Sequence, residues 1–148
     1  MTRNRPDFRW GILYFLTLGY IILFFVLCRH SAADGLDADT DAEIRVYFFH
    51  LAARCDVCTA IEENTKRVLE EHFKNQIDSG TIKFKSINID SRENKLIAEK
   101  YQISYTSLLL VRDDGTFTDF TNTSLNYAFM NPSKFRELLK SEMDKNLE

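Results

Sequence analysis

Apolar and polar positions divide this chain of 148 residues into stretches of distinct period. From Trp10 to Cys28 the run WGILYFLTLGYIILFFVLC holds no charge, and Leu, Ile and Phe dominate it. As a helix rising ~1.5 Å per residue, it nearly matches a hydrocarbon core of ~30 Å. It is long enough to cross a bilayer. Residues 29–43 change character: from Ser31 to Glu43 the sequence SAADGLDADTDAE is small and acidic with no apolar period, which reads as a solvated linker.

Residues 44–148 carry the periods of a folded domain. Ile44 to His50, IRVYFFH, is rich in β-branched and aromatic residues and almost continuously apolar, which predicts a central strand covered on both faces. Next, Val57, Cys58, Ile61, Thr65, Val68, Leu69, His72, Phe73 and Ile77 recur at three and four. Glu62, Glu63, Lys66, Arg67, Glu70, Glu71 and Lys74 fill the other face. The spacing predicts one amphipathic helix of about five turns, stopped at Ser79-Gly80, with His72 on or near its core face.

Thr81 to Ile89, TIKFKSINI, alternates apolar and polar residues as a strand does. A shorter helix around Arg92 to Tyr101 turns Leu96 and Ile97 inward. Ser107 to Arg112, SLLLVR, predicts another buried strand, Asp113-Asp114-Gly115 a turn, and Thr116 to Thr121 the return strand of a hairpin. Asn131 as N-cap with Pro132 in the first turn opens the last helix, whose apolar face is Phe135, Leu138 and Leu139. The order is β-α-β-α-β-β-α. A single four-stranded α/β sheet with helices on both faces would bury every apolar face.

Charge then orients the chain. Arg3, Arg5 and Arg9 precede the apolar run and acidic residues crowd the linker after Arg29 and His30. The positive-inside bias puts residues 1–9 in the cytoplasm, makes 10–28 a single-pass signal anchor in the cytoplasmic membrane, and places everything after His30 on the extracytoplasmic, periplasmic side. Ser31-Ala32-Ala33 supports a rival reading, secretion after cleavage near Ala33, but the apolar run exceeds the ~7–15 residues of a signal core. Cys28 lacks the small residues before it that a bacterial lipoprotein site needs, and reads as an apolar residue at the membrane edge. Both readings export the domain.

The overall charge of −3 conceals a sharper imbalance: residues 1–30 hold four basic residues and one acidic, leaving 15 basic and 21 acidic beyond them, a net −6. That argues against nucleic acid, whose phosphates need a basic face. The exported part has only Cys55 and Cys58, so they pair with each other or with a partner.

These two cysteines carry the candidate chemistry. Cys55 sits where the first strand ends and Cys58 in the first turn of the following helix, where unpaired N–H groups and the helix dipole stabilise a thiolate. A thiol so placed has its pKa lowered from ~8.5 to somewhere in ~3.5–7.5, and the thiolate is the nucleophile. Arg54 pushes the same way and Asp56 pushes back. The spacing of three keeps the sulfurs near each other, so a mixed disulfide at one can be resolved from the other. Two packing thiols, a structural disulfide and half of a soft-metal site remain open as alternatives.

The pattern of strand, C-x-x-C and helix, with the later YQISYTSLLLVRDDGTF, resembles the thioredoxin superfamily over roughly Ile44 to Lys145. The resemblance implies a thioredoxin-like fold with a mixed four-stranded sheet, thiol–disulfide exchange with a redox partner or client disulfide, Cys55 as the attacking thiol and Cys58 as the resolving one. More narrowly, RCDVCTAIEENTKRVLEEHF, GTIKFKSINID and AEKYQI are similar to exported or membrane-tethered thioredoxin-like proteins labelled ArsF, a nitrophenyl-compound nitroreductase subunit. That likeness implies a redox accessory subunit. The sequence shows no flavin site, and no cofactor is expected.

The site-tuning positions depart from thioredoxin. Its Trp-Cys-Gly-Pro-Cys is replaced by Arg54-Cys55-Asp56-Val57-Cys58, and no Asp or Glu precedes the cysteines in the strand as a buried proton acceptor. His50 is the only titratable residue near that place, and a solvent-facing or hydrogen-bonded structural role is expected for it. Where the superfamily has its cis-proline, this chain has Thr106 and Ser107, so a trans bond is expected. The proline implies alignment of a partner's backbone and exclusion of metals. Its absence leaves open a carrier of Cu(I), Zn(II) or As(III) on the two thiolates, with His50 the only plausible third ligand, and a redox-inert adaptor. Asp56 makes Cys55 less acidic than a neutral neighbour would, which favours a reductant or isomerase over a strong oxidant.

Overall fold

The computed structural model describes residues 42–147. The apolar run 10–28, Cys28 and almost all of the linker lie outside the described residues. Among the described residues no helix is long and apolar enough to cross a membrane. The linker's end already belongs to the domain: Ala42 is buried, and the Glu43 carbonyl accepts a hydrogen bond from the Asp113 N–H at 3.0 Å.

The apolar run Ile44–His50 forms β1 at the centre of a four-stranded sheet. β2, Ile82–Asn88, pairs with it in parallel, and β3, Ser107–Arg112, pairs antiparallel on its other side. β4, Phe117–Asp119, completes the order β2-β1-β3-β4. Alternation along β1 divides its side chains between two cores. Ile44, Val46 and Phe48 join one cluster and Tyr47 and Phe49 the other.

Two long helices cover the first face. α1, Asp56–His72, contributes Cys58, Ile61, Val68 and Leu69, and the last helix, Pro132–Asn146, contributes Phe135, Leu139 and Met143. The Asn131 side chain caps that last helix by accepting the Lys134 N–H at 3.2 Å, with Pro132 at its first position as expected. On the opposite face, Ile97 and Tyr101 pack against Tyr47, Phe49, Ile87, Leu109 and Val111. They come from α3, Lys95–Lys100, and the residue after it; a 3-10 turn, Arg92–Asn94, leads in. This is a thioredoxin-like α/β fold, its mixed sheet flanked by helices on both sides.

Four expectations need correction. The five-turn helix is broken at Phe73 (φ −127°, ψ 21°), which separates α1 from the short α2, Lys74–Asp78. Thr65, Leu69, Phe73 and Ile77 are spaced by four, and each such step advances about 40° around a helix of 3.6 residues per turn. A continuous helix would carry the row off the core; the break resets it, burying Phe73 and packing Ile77 against the same cluster. His72 is exposed at the end of α1 rather than on its core face. In α3 the inward residues are Ile97 and Ala98, while Leu96 is 57% exposed.

The expected return strand, Thr116 to Thr121, shrinks to the three residues of β4 because the chain turns at Phe120 into a helix that the pattern does not show. This is α4, Thr121–Tyr127; the last helix is therefore α5. Its buried residues are Thr121 and Ser124, not apolar ones. The Thr121 N–H bonds the Asp119 carboxylate at 2.9 Å, and the Leu108 N–H donates to the Thr121 hydroxyl at 3.1 Å.

The end of α3 supplies a stability test. Gln102 adopts φ 56°, and the bonds Ile103 N–H to Ala98 carbonyl at 2.8 Å and Gln102 N–H to Glu99 carbonyl at 3.1 Å make a Schellman cap. Glycine occupies the other left-handed positions among the described residues, Gly80 and Gly115. A left-handed L-residue costs about 1–2 kcal/mol, and glycine's greater freedom when unfolded returns about 0.5–1 kcal/mol of that. Gln102→Gly is therefore expected to stabilise the domain by up to about 1 kcal/mol, read as a raised midpoint in urea unfolding at unchanged slope.

Candidate functional site

Where β1 ends, the chain runs through Leu51 to Arg54 before α1 begins. The Ala52 N–H donates to the Asp90 carboxylate at 2.7 Å and the Ile89 N–H to the His50 carbonyl at 2.9 Å, tying this loop to the end of β2. Cys55 is the N-cap of α1 with an extended backbone, and its carbonyl accepts the Thr59 N–H at 3.0 Å. Cys58, in the first turn, is buried, whereas Cys55 is exposed. Both are free thiols, with sulfurs 3.0 Å apart.

Thr106, immediately before β3, completes the immediate surroundings. Its hydroxyl lies 3.5 Å from the Cys58 sulfur. No described peptide bond is cis, so Thr106 stands in a trans-bonded segment, as expected. Burial pushes the Cys58 thiol up. The hydrogen bond from Cys55, the Thr106 hydroxyl, the Cys55 backbone N–H and the Arg54 charge outweigh it and bring Cys58 below the ordinary thiol value. The charged form of Cys58 is thus favoured inside the site, and of the two sulfurs only that of Cys55 is exposed.

Beneath the dithiol runs a row of charges that the sequence pattern assigned to the solvated face of α1. Glu62 lies one turn beyond Cys58 and is only 9% exposed. Its carboxylate binds the Arg54 guanidinium and, at 2.8 Å, the Lys66 ammonium. Arg54 lies over the Phe48 ring at 5.7 Å and Lys66 over the Phe84 ring at 5.6 Å. Burial raises the Glu62 carboxyl, but hydrogen bonds from Lys66 and Arg54, and their charges, lower it below the usual carboxylate value. Glu62 is therefore an ionised counter-charge. The one signal for it in the sequence is its spacing of four from Cys58, hidden because a glutamate among glutamates reads as solvated.

His50 is a structural side chain. Its Nδ1 is 2.8 Å from the Leu51 carbonyl, and its ring stacks on Phe48 at 5.6 Å. Among the described residues no three His, Cys, Asp or Glu side chains are placed to hold a metal ion, so His50 does not join the two cysteines in such a group. Asp56 opens α1 and is exposed; it lines a groove between α1 and the α4–α5 turn.

No family model matches the chain, and no curated protein matches it. Among solved structures, thioredoxin from Fasciola hepatica is 19% identical at a TM-score of 0.46, covering 70% of this chain and 84% of its own. Trxlp from Edwardsiella tarda EIB202 is 14% identical at a TM-score of 0.48, covering 73% and 94%. The zinc-bound form of human ERp44 is 22% identical at a TM-score of 0.43, covering 68% of this chain and 30% of that one.

The Glu62 ion pairs make acid sensitivity a test of the row beneath the dithiol. Because the folded-state value is depressed, the stabilisation is present above the unfolded carboxyl value of about 4.3 and is lost as pH falls through the lowered folded value. Glu62→Gln is expected to cost about 1–2 kcal/mol in urea unfolding at neutral pH and clearly less in acid. Parallel stability–pH curves for the two proteins would show that Glu62 is not the buried anion described.

Proposed function

We propose that this protein is a thiol–disulfide exchange protein in which Cys55 attacks and Cys58 resolves. The carrying observation is the asymmetry of the pair: an exposed sulfur at the helix N-cap, 3.0 Å from a buried one whose charged form is favoured by its neighbours. In the reducing direction the Cys55 thiolate attacks one sulfur of a partner disulfide. A mixed disulfide forms, and the partner's other sulfur leaves as a thiolate that takes up a proton. Cys58 then gives up its proton and attacks the Cys55 sulfur, releasing the second partner thiolate. The dithiol loses two electrons and becomes a disulfide; the partner disulfide gains them and becomes two thiols.

The reducing direction is part of the proposal, with Asp56 beside Cys55 as its support. Tethering is a further part: residues 10–28 would anchor the chain in the cytoplasmic membrane with residues 44–148 outside the cytoplasm. It is supported by the uncharged run and the arginines before it. The likeness of the C-x-x-C helix to ArsF-labelled proteins supports an accessory redox subunit as the physiological setting.

Three readouts on the full chain test the exchange chemistry. Iodoacetamide should label the exposed Cys55 faster than the buried Cys58. Cys58→Ser should trap a mixed disulfide with glutathione disulfide, and Cys55→Ser should not. Thr106→Val removes one hydrogen bond to the resolving sulfur and should slow release from the mixed disulfide up to about tenfold. Equal alkylation of the two thiols, with no cycling by dithiothreitol, would sink the proposal; stoichiometric uptake of arsenite or Zn(II) by such a protein would favour the carrier reading instead.

A further inference from the structure

The groove that Asp56 lines begins one residue beyond Cys55 along α1. It has a volume of about 360 Å³, room for one large side chain. One wall is a single stripe of α1, running from Asp56 through Thr59, Ala60 and Glu63 to Asn64. The other wall is the α4–α5 turn, at Ala128, Phe129 and Pro132. Its floor is fixed by hydrogen bonds. The Asn64 amide donates to the Ala60 carbonyl at 2.9 Å and across the groove to the Ala128 carbonyl at 3.3 Å, while its oxygen accepts from Arg136 at 2.7 Å.

The segment that supplies this wall concentrates the exposed apolar surface. Four of the eight large apolar side chains exposed among the described residues fall within six consecutive positions, at Leu125, Tyr127, Phe129 and Met130. Phe129 is 50% and Met130 79% exposed, although Ala128 between them and α4 is wholly buried. Holding such side chains in water forgoes burial energy, and contiguous apolar surface of this kind marks an interaction site. The opposite wall brings two carboxylates, Asp56 and Glu63, both exposed.

We propose that this groove docks the partner polypeptide through an apolar side chain set beside a basic one, holding the partner's disulfide against Cys55. The inference rests on the exchange function proposed above and adds to it the chemistry of the partner. An apolar anchor matches the wall at Phe129, with Met130 exposed next to it, and a lysine or arginine matches the Asp56 and Glu63 wall. An anionic lipid surface or a second copy of this net-acidic chain would meet like charge there.

Labelled peptides without cysteine test the docking separately from the thiol chemistry. One carries phenylalanine next to lysine; in the second the lysine is glutamate, and in the third the phenylalanine is serine. By fluorescence anisotropy with the full chain, the first should bind at least about fivefold more tightly than either other. Glu63→Lys should reverse the preference between lysine and glutamate. Phe129→Ser combined with Met130→Ser should erase the preference for phenylalanine, with an unchanged melting temperature showing that the fold persists. Equal binding of the three peptides, or retention of both preferences by the variants, would overturn the proposal. So would loss, in the double variant, of flotation with phosphatidylglycerol–phosphatidylethanolamine vesicles or of a dimer seen in sedimentation, each of which would assign the apolar wall to another occupant. Cycling of the wild-type chain with dithiothreitol is measured in parallel. Its failure would remove the exchange function while leaving the peptide preferences to be read.

Discussion

A strand with no solvent face constrains everything beside it. From Ile44 to Phe49 every residue of β1 is buried, its apolar side chains divide between two cores, and both backbone edges enter ladders. A slip of one residue would send Tyr47 and Phe49 beneath α1 and α5 and bring Val46 and Phe48 to the α3 side, exchanging two cores of different shape. The register is thus fixed, and with it the point at which β1 ends. Only Leu51 to Arg54 separate that end from Cys55, and Asp90 holds the loop from the neighbouring strand's side. The position of the dithiol is therefore inherited from the packing of the sheet.

The helix that bears the dithiol also bears its electrostatic support. Cys55, Cys58, Glu62 and Lys66 follow one another from the cap of α1 along it, so the dithiol and the Glu62–Lys66 ion pair depend on the same helix. Arg54 is shared between them. Its guanidinium neutralises Glu62 while adding to the field at Cys58, where its charge ranks behind the hydrogen bonds from Cys55 and Thr106. Glu62 draws the guanidinium away from the sulfurs and holds it on Phe48. The charged form of Cys58 is therefore favoured more by the hydrogen bonds from Cys55 and Thr106 than by the Arg54 charge.

Local signals in the sequence carried most of the architecture. β1 and β3 were legible because unbroken apolar runs of that length suit strands covered on both faces, and the hairpin because Gly115 must take φ 83°. The start of α5 was legible in Asn131-Pro132. The joint at Phe73 was hidden because a spacing of four passes through it unchanged. Leu96 and Ile97 are adjacent, and only packing decides which of two neighbours faces inward on so short a helix. At the site, the dithiol was legible as a motif and Thr106 as a departure from one. Glu62 was hidden since its burial depends on cations from the preceding loop and the next turn, a tertiary fact that no period encodes.

α4 was illegible for a reason that bears on what the domain does. It docks by hydroxyls: Thr121 accepts from the Leu108 N–H, and the Ser124 hydroxyl donates to the Phe120 carbonyl at 2.8 Å. A helix anchored by satisfied polar groups needs no apolar stripe, so hydrophobic periodicity is silent about it. Its apolar residues are then released from structural duty and face outward with those of the following turn, at the rim of the groove that adjoins Cys55. Had Leu125 and Phe129 been used to seat the segment, the domain would have gained burial energy and lost this surface. The arrangement instead leaves apolar side chains exposed beside a groove whose other wall begins with Asp56, the residue after Cys55.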